Sequence, residues 1–303
     1  MKAEHDLQSG SLSGKLPELS IVMATKNRAR IFERSLVSIL REVESDFPEA
    51  EVIIIDGGST DGTVDVLRRH ESRLAYWVSE PDSGVAEATN KGIARARADV
   101  VRLIGDDDEF VPGRLRMMMD AVKRLPEYGV IAGHNDVYIE KADGSLELMQ
   151  QPKFRGEVSR SDMCKWGMDY GILIPEACFF RKAALLQHGS YDLSWKWWGF
   201  LDLFYRMING GVRFFVVPIP ILKTYQTTQS DTWANLNNPK FWEEFFRVIH
   251  KNTGWQWWLW RWLDGTFNPY RKLLHYAYRL SNATGIHPRR MFRNALQRIA
   301  ARK

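Results

Sequence analysis

The 303-residue chain has only two cysteines and no long uncharged apolar run. Cys164 and Cys178 cannot build a disulfide framework or a zinc cluster, and they fit a reducing compartment. No apolar run reaches the ~18 residues of a membrane span, and the polar first residues lack the apolar core of a signal peptide. We therefore expect a cytoplasmic protein without a membrane span.

The glycine-rich and catalytic motifs of several enzyme classes are also missing. No G-x-G-x-x-G follows the first predicted strand, which argues against a dinucleotide-dependent dehydrogenase, and there is no P-loop. The chain has neither the G-x-S-x-G turn of serine hydrolases nor the HExxH spacing of zinc proteases.

Charge is distributed unevenly. The whole chain carries 42 Lys and Arg against 37 Asp and Glu, a net charge of +5. Residues 240–303 hold 13 of the basic residues, three acids and half of the 12 tryptophans. This composition predicts either peripheral contact with the inner face of a membrane or packing against the catalytic domain or another subunit. Nucleic acid is not an expected partner, because no nucleic-acid-binding motif accompanies the basic residues.

Short strands alternate with helices from residue 19 to residue 105. The apolar pattern predicts strands at 19–25, 51–56, 74–78 and 99–104, and helices at 28–44, 63–70 and 85–96. Four consecutive apolar residues at 52–55 are typical of a parallel strand that is covered on both faces. The pattern predicts an α/β fold, with a mostly parallel central sheet and helices on both faces.

The later part of the chain has a different pattern. It predicts a helix at 112–125, a hairpin of 130–140 with 146–149, a helix at 201–208, a strand at 212–217 and amphipathic helices from residue 241. We divide the chain into a flexible N-terminus (1–18), a nucleotide-binding half (19–110), an acceptor-binding half (111–239) and a helical, Trp-rich, basic extension (240–303).

Acidic side chains follow three of the four predicted strands. Asp56 ends the second strand, Asp82 follows the third, and Asp106, Asp107 and Asp108 follow the fourth. Ligands of open parallel sheets bind beyond the carboxyl ends of the strands, so these acids are expected at one edge. Mg²⁺ or Mn²⁺ takes one or two such carboxylates together with phosphate oxygens. The alternative is a set of solvated acidic turns.

Four segments together resemble the family-2 glycosyltransferases of GT-A fold. They are residues 20–28 (SIVMATKNR), 54–63 (IIDGGSTDGT), 79–92 (SEPDSGVAEATNKG) and 105–108 (GDDD). The resemblance implies transfer of a sugar from a nucleotide-diphosphate sugar, with a UDP-sugar favoured, to a hydroxyl of a glycan or lipid-linked glycan. It also implies inversion by a single displacement that depends on Mg²⁺ or Mn²⁺.

The resemblance also implies roles for individual residues. Asp108 and Asp106 would bind the metal, in a motif whose register is ambiguous by one residue. The nucleotide sugar would contact Thr25, Asn27, Arg28, Asp56, Gly58, Asp82, Gly84, Asn90, Lys91, Asp106 and Asp107.

The general base is the least determined position. The family commonly supplies an acid near the start of a helix like 201–208, but alignment on Arg206 puts Phe200 at that place, so Asp202 is the predicted base. Asp169, Glu176 and Asp192 are its rivals. Trp195, Trp197 and Trp198 are predicted to line the acceptor site, with core packing as the alternative.

Two other functions stay open from the sequence. One is a nucleotidylyltransferase, although the glycines expected after the first strand are absent. The other is a non-catalytic membrane or scaffold protein with the same fold.

Overall fold

A computed structural model describes residues 3–6, 16–140, 145–150, 154–160, 162, 173–226, 235 and 238–253. The chain divides into two compact units, Met1–Trp233 and Ala234–Lys303. In the first unit the strands are β1 (Ala3–Asp6), β2 (Leu19–Thr25), β3 (Ala50–Asp56), β4 (Tyr76–Ser79), β5 (Val100–Ile104), β6 (Asp108–Phe110), β7 (Val130–Glu140), β8 (Leu146–Gln150), β9 (Gly156–Glu157), β10 (Cys178–Arg181) and β11 (Phe214–Gln226).

The helices of the first unit lie between these strands. They are α1 (Ala29–Ser45), α2 (Thr63–His70), α3 (Val85–Arg95), α4 (Leu115–Arg124), α5 (Lys182–Gln187) and α6 (Gly199–Asn209), with short 3₁₀ turns at Glu71–Arg73 and Pro175–Ala177. The predicted strands and helices between residues 19 and 105 are confirmed to within two residues. The helix predicted from residue 112 begins at Leu115, because Gly113 adopts a left-handed φ of 70° and keeps the chain in a turn.

The described strands form one mixed sheet in the order β1-β4-β3-β2-β5-β10-β7-β11-β6, with β8 paired to β7 and β9 to β11. Strands β4, β3, β2 and β5 are parallel, as predicted, and β7 is parallel to β11. Strand β10 lies antiparallel between β5 and β7 and joins the two halves of the sheet. The sheet is therefore parallel from β4 to β5 and mainly antiparallel beyond β5.

Helices cover both faces of the sheet. The apolar side of α1, including Phe32 and Leu36, shares one core with Met118 of α4 and with alternate residues of the strands. Helix α3 packs on the opposite face so closely that a Cβ on Gly92 would lie 2.2 Å from Cγ1 of Val22. The position of α3 is therefore fixed directly by strand β2.

The predicted N-terminal segment and hairpin are described only in part. Within the N-terminus predicted to be flexible (1–18), residues 3–6 form β1 and pair antiparallel with β4, whose edge offers unpaired backbone groups, and the flexibility of the segment stays a prediction. The hairpin of β7 and β8 is confirmed, while its turn at 141–144 is not among the described residues.

The second unit is described only in part. Its helix α7 (Pro239–Thr253) is amphipathic as predicted, since Phe241, Phe245 and Val248 share one face and are buried. Residues 254–303, which hold most of the predicted basic extension, lie outside the described residues. No helix in the described ranges is long and apolar enough to cross a membrane.

Candidate active site

The carboxyl ends of the parallel strands bring the predicted residues to one edge of the sheet. Thr25 and Asp56 are neighbours in the pairing of β2 with β3, and Thr25 Oγ1 donates to Asp106 Oδ2 at 2.8 Å. A Cβ on Gly57 would lie 2.7 Å from Oδ2 of Asp82. The acids that follow three different strands therefore converge, as parallel strand ends require.

Asp56 is fully buried and already holds its own turn together. Its carboxylate accepts from Ser79 Oγ at 2.5 Å, from the backbone N–H of Ser59 at 2.9 Å, and from Ser59 Oγ. A carboxylate has about four acceptor positions, and these three bonds use most of them. Its predicted contact with the nucleotide stays a prediction.

The turn after β2 is tied to the turn after β3. Asn27 adopts a left-handed φ of 53°, which Asn tolerates better than most residues, and its Oδ1 accepts from the backbone N–H of Thr60 at 2.8 Å. The backbone N–H of Asn27 donates to Ser59 Oγ at 2.7 Å. This arrangement orients Arg28 toward the acidic turn.

Asp82 lies beside these turns with only 5% of its side chain exposed. Its Oδ1 accepts from the backbone N–H of Gly84 at 3.0 Å and lies 3.9 Å from Lys26 Nζ. Desolvation raises the pKa of Asp82, partly offset by the bond from Gly84 and the charge of Lys26. Gly58 has a left-handed φ of 77° and packs against the backbone of Pro81, so the glycine is required there.

The three consecutive aspartates have different partners. Arg28 NH1 donates to Asp106 Oδ1 at 2.6 Å and to Asp107 Oδ2 at 3.3 Å. Desolvation raises the pKa of Asp106, and the charge of Arg28 opposes this rise. Asp108 is 2% exposed, and burial, together with the charge of Asp107, raises its pKa well above the usual range.

The pair Asp107 and Asp108 fits a cation that is also held by phosphate. A Cβ on Gly105 would lie 2.9 Å from Asp108 Oδ2 and 3.1 Å from Asp107 Oδ1, so both carboxylates reach over the same residue. Asp108 Oδ1 is buried with no hydrogen-bond partner in the described part of the chain. That part contains no group of three or more His, Cys, Asp or Glu arranged around a metal, but Mg²⁺ with diphosphate needs only one or two carboxylates.

Asp106, which is predicted to bind the metal, already accepts hydrogen bonds from other residues. Both of its oxygens accept hydrogen bonds, one from Thr25 and one from Arg28. The structure therefore favours the register Asp107 and Asp108 over Asp106 and Asp108 for a shared ligand.

Beneath the acidic turn lies a charged residue that sequence reasoning missed. Arg102 of β5 is fully buried, with its guanidinium 4.1 Å from the ring centre of Phe110 and 4.9 Å from that of Phe179. Its NH2 donates to the backbone oxygen of Glu176 at 3.1 Å, while Nε and NH1 have no partner among the described residues. Burial lowers its pKa to about 9, against the opposing charge of Asp108. The feature of the sequence that could have indicated this residue is a single arginine inside the otherwise apolar strand β5.

Among the described rivals for the base, Glu176 is the one whose pKa responds to the charge of this acidic turn. The pKa of Glu176 is raised to about 7, mainly by desolvation and also by the charge of Asp107, while a backbone hydrogen bond and the charge of Arg102 act against the rise. A carboxylate with a pKa near neutrality suits proton transfer. Of the other rivals, Asp192 accepts from both the N–H and Oγ of Ser194, and Asp169 is outside the described residues.

Asp202 has surroundings that do not suit a base. It is fully buried in α6, and its Oδ2 accepts from Arg206 Nε at 2.7 Å. Arg206 in turn donates from NH1 to the backbone oxygen of His188 and from NH2 to that of Ser190 at 2.6 Å. In this arrangement Asp202 orients an arginine that holds the chain before α6, and it presents no oxygen to solvent.

Asn90 and Lys91 also have protein partners. Asn90 Nδ2 donates to the backbone oxygen of Tyr191 at 2.8 Å, and its Oδ1 accepts from the N–H of Tyr191 at 2.9 Å. Lys91 Nζ lies 2.8 Å from Glu87 and 3.0 Å from Glu80, and the bond to Glu87 raises its pKa. Their predicted contacts with the nucleotide sugar stay predictions.

The three tryptophans differ in exposure. Trp195 and Trp198 are each 6% exposed, and Trp198 packs against Phe200 with ring centres 5.8 Å apart. Trp197 is partly exposed, with Lys196 Nζ 4.7 Å from its ring centre. The burial favours the alternative of core packing for Trp195 and Trp198, which leaves Trp197 as the accessible acceptor candidate.

Solved structures share this fold. Staphylococcus aureus TarS, residues 1–349 in complex with UDP-GlcNAc, superposes with a TM-score of 0.59 over 77% of this chain and 65% of that chain, at 16% sequence identity. The fold of this chain, a mixed sheet with an acidic edge, therefore belongs to the GT-A class of α/β folds. Within that class, the chain belongs to glycosyl transferase family 2, whose model matches residues 20–188.

The chain is also similar to curated proteins over part of their length. The chain is 28% identical over 214 residues to the succinoglycan biosynthesis protein ExoU of Rhizobium meliloti, covering 66% of this chain and 59% of that protein. It is 31% identical over 108 residues, 34% of each chain, to the GalNAc(5)-diNAcBac-PP-undecaprenol beta-1,3-glucosyltransferase of Campylobacter jejuni. This chain therefore spans less than two thirds of either relative.

Proposed function

We propose that the chain transfers a sugar from a nucleotide-diphosphate sugar, with a UDP-sugar favoured, to a hydroxyl of a glycan or lipid-linked glycan. The observation that carries this proposal is the convergence of Asp107 and Asp108 over Gly105, beside Thr25 and Asp56 at one sheet edge. The UDP-GlcNAc bound to TarS supports the donor class, and the undecaprenol-linked and succinoglycan names of the relatives support the acceptor class.

The donor diphosphate requires positive charge at an edge that is otherwise acidic. Asp107 and Asp108 would hold Mg²⁺ or Mn²⁺ together with the diphosphate oxygens. When bound, such an ion would neutralise the departing nucleoside diphosphate and act as a Lewis acid. Arg28 is a positive side chain of the protein at this edge, where its guanidinium lies against Asp106 and Asp107.

The transfer proposed is a single displacement with inversion. The acceptor oxygen forms a bond to the anomeric carbon while the bond from that carbon to the diphosphate oxygen breaks, and the diphosphate leaves with the electron pair. The acceptor proton passes to a carboxylate of the enzyme. We assign this base to Glu176 rather than Asp202, because Asp202 is fully buried and paired with Arg206.

The test is a panel of nucleotide sugars with glycan and lipid-linked acceptors, read as released nucleoside diphosphate. Binding of each donor is measured by calorimetry with and without Mn²⁺. We expect saturable binding that Mn²⁺ strengthens, and turnover that is lost in Asp108→Asn. Binding without turnover across the whole panel would favour the non-catalytic alternative, and no binding of any nucleotide sugar would contradict the proposal.

Contact of residues 240–303 with a membrane is a separate part of the proposal. Its support is the composition of that segment, with 13 basic residues and half of the tryptophans. Sedimentation with anionic liposomes of the full chain and of a chain ending at Pro239 tests it. Equal binding of both chains, or no binding of either, would reject a docking role for the segment.

A further inference from the structure

The side-chain amide of Asn90 makes two hydrogen bonds to the backbone of one distant residue. Its Nδ2 donates to the oxygen of Tyr191 at 2.8 Å and its Oδ1 accepts from the N–H of Tyr191 at 2.9 Å. Because one bond needs a donor and the other an acceptor, the pair also fixes which end of the amide is which. Asp would lose the donor and Leu would lose both bonds.

The chain around Tyr191 is held from the other side as well. Arg206 of α6 donates to the backbone oxygens of His188 and Ser190, and fully buried Asp202 orients that arginine. Residues 188–191 are thus held between two side chains with several bonds each, Asn90 from α3 and Arg206 from α6. We call residues 188–191 the clamped loop.

Each anchor of the clamped loop has a fixed position. Helix α3 begins directly after Asp82 and Gly84 at the donor edge, and the close packing of Gly92 on Val22 prevents it from shifting against β2. The clamped loop carries Tyr191, whose phenol has a raised pKa because it is buried and because the charge of Glu176 acts on it. Asn90 therefore connects the donor side of the sheet to the clamped loop.

We propose that Asn90 is a positioning residue, which sets the clamped loop against the donor edge of the sheet. This inference rests on the proposed function, and it replaces the expected contact of Asn90 with the nucleotide sugar. We expect Asn90 to act on the acceptor step, because both bonds of its amide go to the clamped loop, which leads into Trp197, the accessible acceptor candidate.

The test compares Asn90→Leu with Ala94→Ser, a change at an exposed position one turn further along α3. Donor affinity is measured by calorimetry with UDP and Mn²⁺, and transfer by kcat and by KM for each substrate. A shift of about 1 Å in a catalytic group can cost about a hundredfold, so we expect Asn90→Leu to lower kcat/KM for the acceptor by roughly tenfold to a hundredfold. The Kd for UDP should stay within about twofold, and Ala94→Ser should match the wild type.

Hydrogen exchange gives a readout that is independent of turnover. In Asn90→Leu the backbone amides of residues 188–191 should exchange faster, while those of Leu19–Thr25 should not change. If Asn90→Leu does not fold, Asn90→Asp, which keeps the acceptor and loses the donor, takes its place in the same measurements. In Asn90→Asp the amides of residues 188–191 should also exchange faster than in the wild type, because the second carboxylate oxygen would face the backbone oxygen of Tyr191.

The outcomes separate this inference from the proposed function. Weaker UDP binding in parallel with slower transfer would overturn the positioning role and make Asn90 a donor contact. Wild-type kinetics in the variant would overturn it as well, whatever the exchange result. Failure of the wild type to bind or turn over any nucleotide sugar would instead contradict the proposed function, and faster exchange of the clamped loop would still show that Asn90 holds it.

Discussion

The guanidinium of Arg28 lies 2.6 Å from Oδ1 of Asp106, at the point where the first and the fourth parallel strands end. Asp106 is 7% exposed, so its charge depends on this partner and on the hydroxyl of Thr25. The same nitrogen of Arg28 also reaches Asp107. One cation of the protein therefore offsets two adjacent carboxylates before any ligand is bound, which makes an acidic turn of this density possible.

The first prediction concerns this arginine. Arg28→Gln leaves Asp106 buried without its charged partner, and breaking such a pair costs about 3 kcal/mol. We expect a lower melting temperature and weaker donor binding, measured by thermal denaturation and by calorimetry with UDP. The control is Arg30→Gln, which removes an exposed charge two residues away and should change neither. Unchanged donor affinity in Arg28→Gln would reject its predicted contact with the nucleotide sugar.

The second prediction separates metal binding from stability. Asp108→Asn removes a buried carboxylate whose pKa is raised by burial and by the charge of Asp107 and lowered by Arg102. We expect the variant to fold with a melting temperature close to that of the wild type, because the lower cost of burying a neutral amide and the loss of a charge partner for Arg102 oppose each other. Activity and the strengthening of donor binding by Mn²⁺ should both be lost. Near-normal turnover, or Mn²⁺-dependent binding that persists, would contradict the assignment.

The third prediction concerns the approach of two turns. A methyl group at residue 57 would lie 2.7 Å from Oδ2 and 3.1 Å from Cγ of Asp82, so Gly57→Ala must displace that carboxylate. The overpacking should cost about 1 kcal/mol of stability, since the displaced group is the end of a side chain. We expect weaker donor binding, measured by calorimetry, if Asp82 lines the pocket. Asp82→Ala combined with Gly57→Ala should then bind no worse than Asp82→Ala alone.

The sequence predicted those parts of the molecule that depend on local patterns. The apolar run at 52–55 marked a strand that is buried throughout, and the spacing of Phe32, Leu36 and Ile39 marked the face of α1 that enters the core. The gathering of Asp56, Asp82 and Asp108 also followed, because parallel strands of one sheet end at one edge.

The sequence could not predict contacts between distant residues. The bonds of Asn90 to Tyr191 join residues 101 positions apart, and no local pattern indicates them. The burial of Asp202 depends on how α6 turns toward the sheet, so its position near the start of a helix like that of the family suggested a base where the structure has a buried ion pair with Arg206. The antiparallel position of β10 likewise depends on the pairing of strands far apart in the chain.

The last prediction decides between two candidates for the base. Glu176→Gln keeps the size of the side chain and removes the group that would accept the acceptor proton, so kcat should fall by about a hundredfold or more while the Kd for UDP stays unchanged. The base must be ionised to act, so kcat/KM of the wild type should rise with pH. The rise should end below about 7, because a cation at Asp107 offsets the charge that raises the pKa of Glu176, and it should disappear in the variant.

The matched variant Asp202→Asn should behave in the opposite way. It weakens the buried pair with Arg206, so it should lower the melting temperature, with a loss of about 3 kcal/mol at most, while the fraction that stays folded keeps the pH dependence of the wild type. Kinetics are therefore measured well below the melting temperature of each variant. If Asp202→Asn abolishes turnover in a fully folded protein and Glu176→Gln does not, the base is Asp202, and the ion pair with Arg206 must open during the reaction.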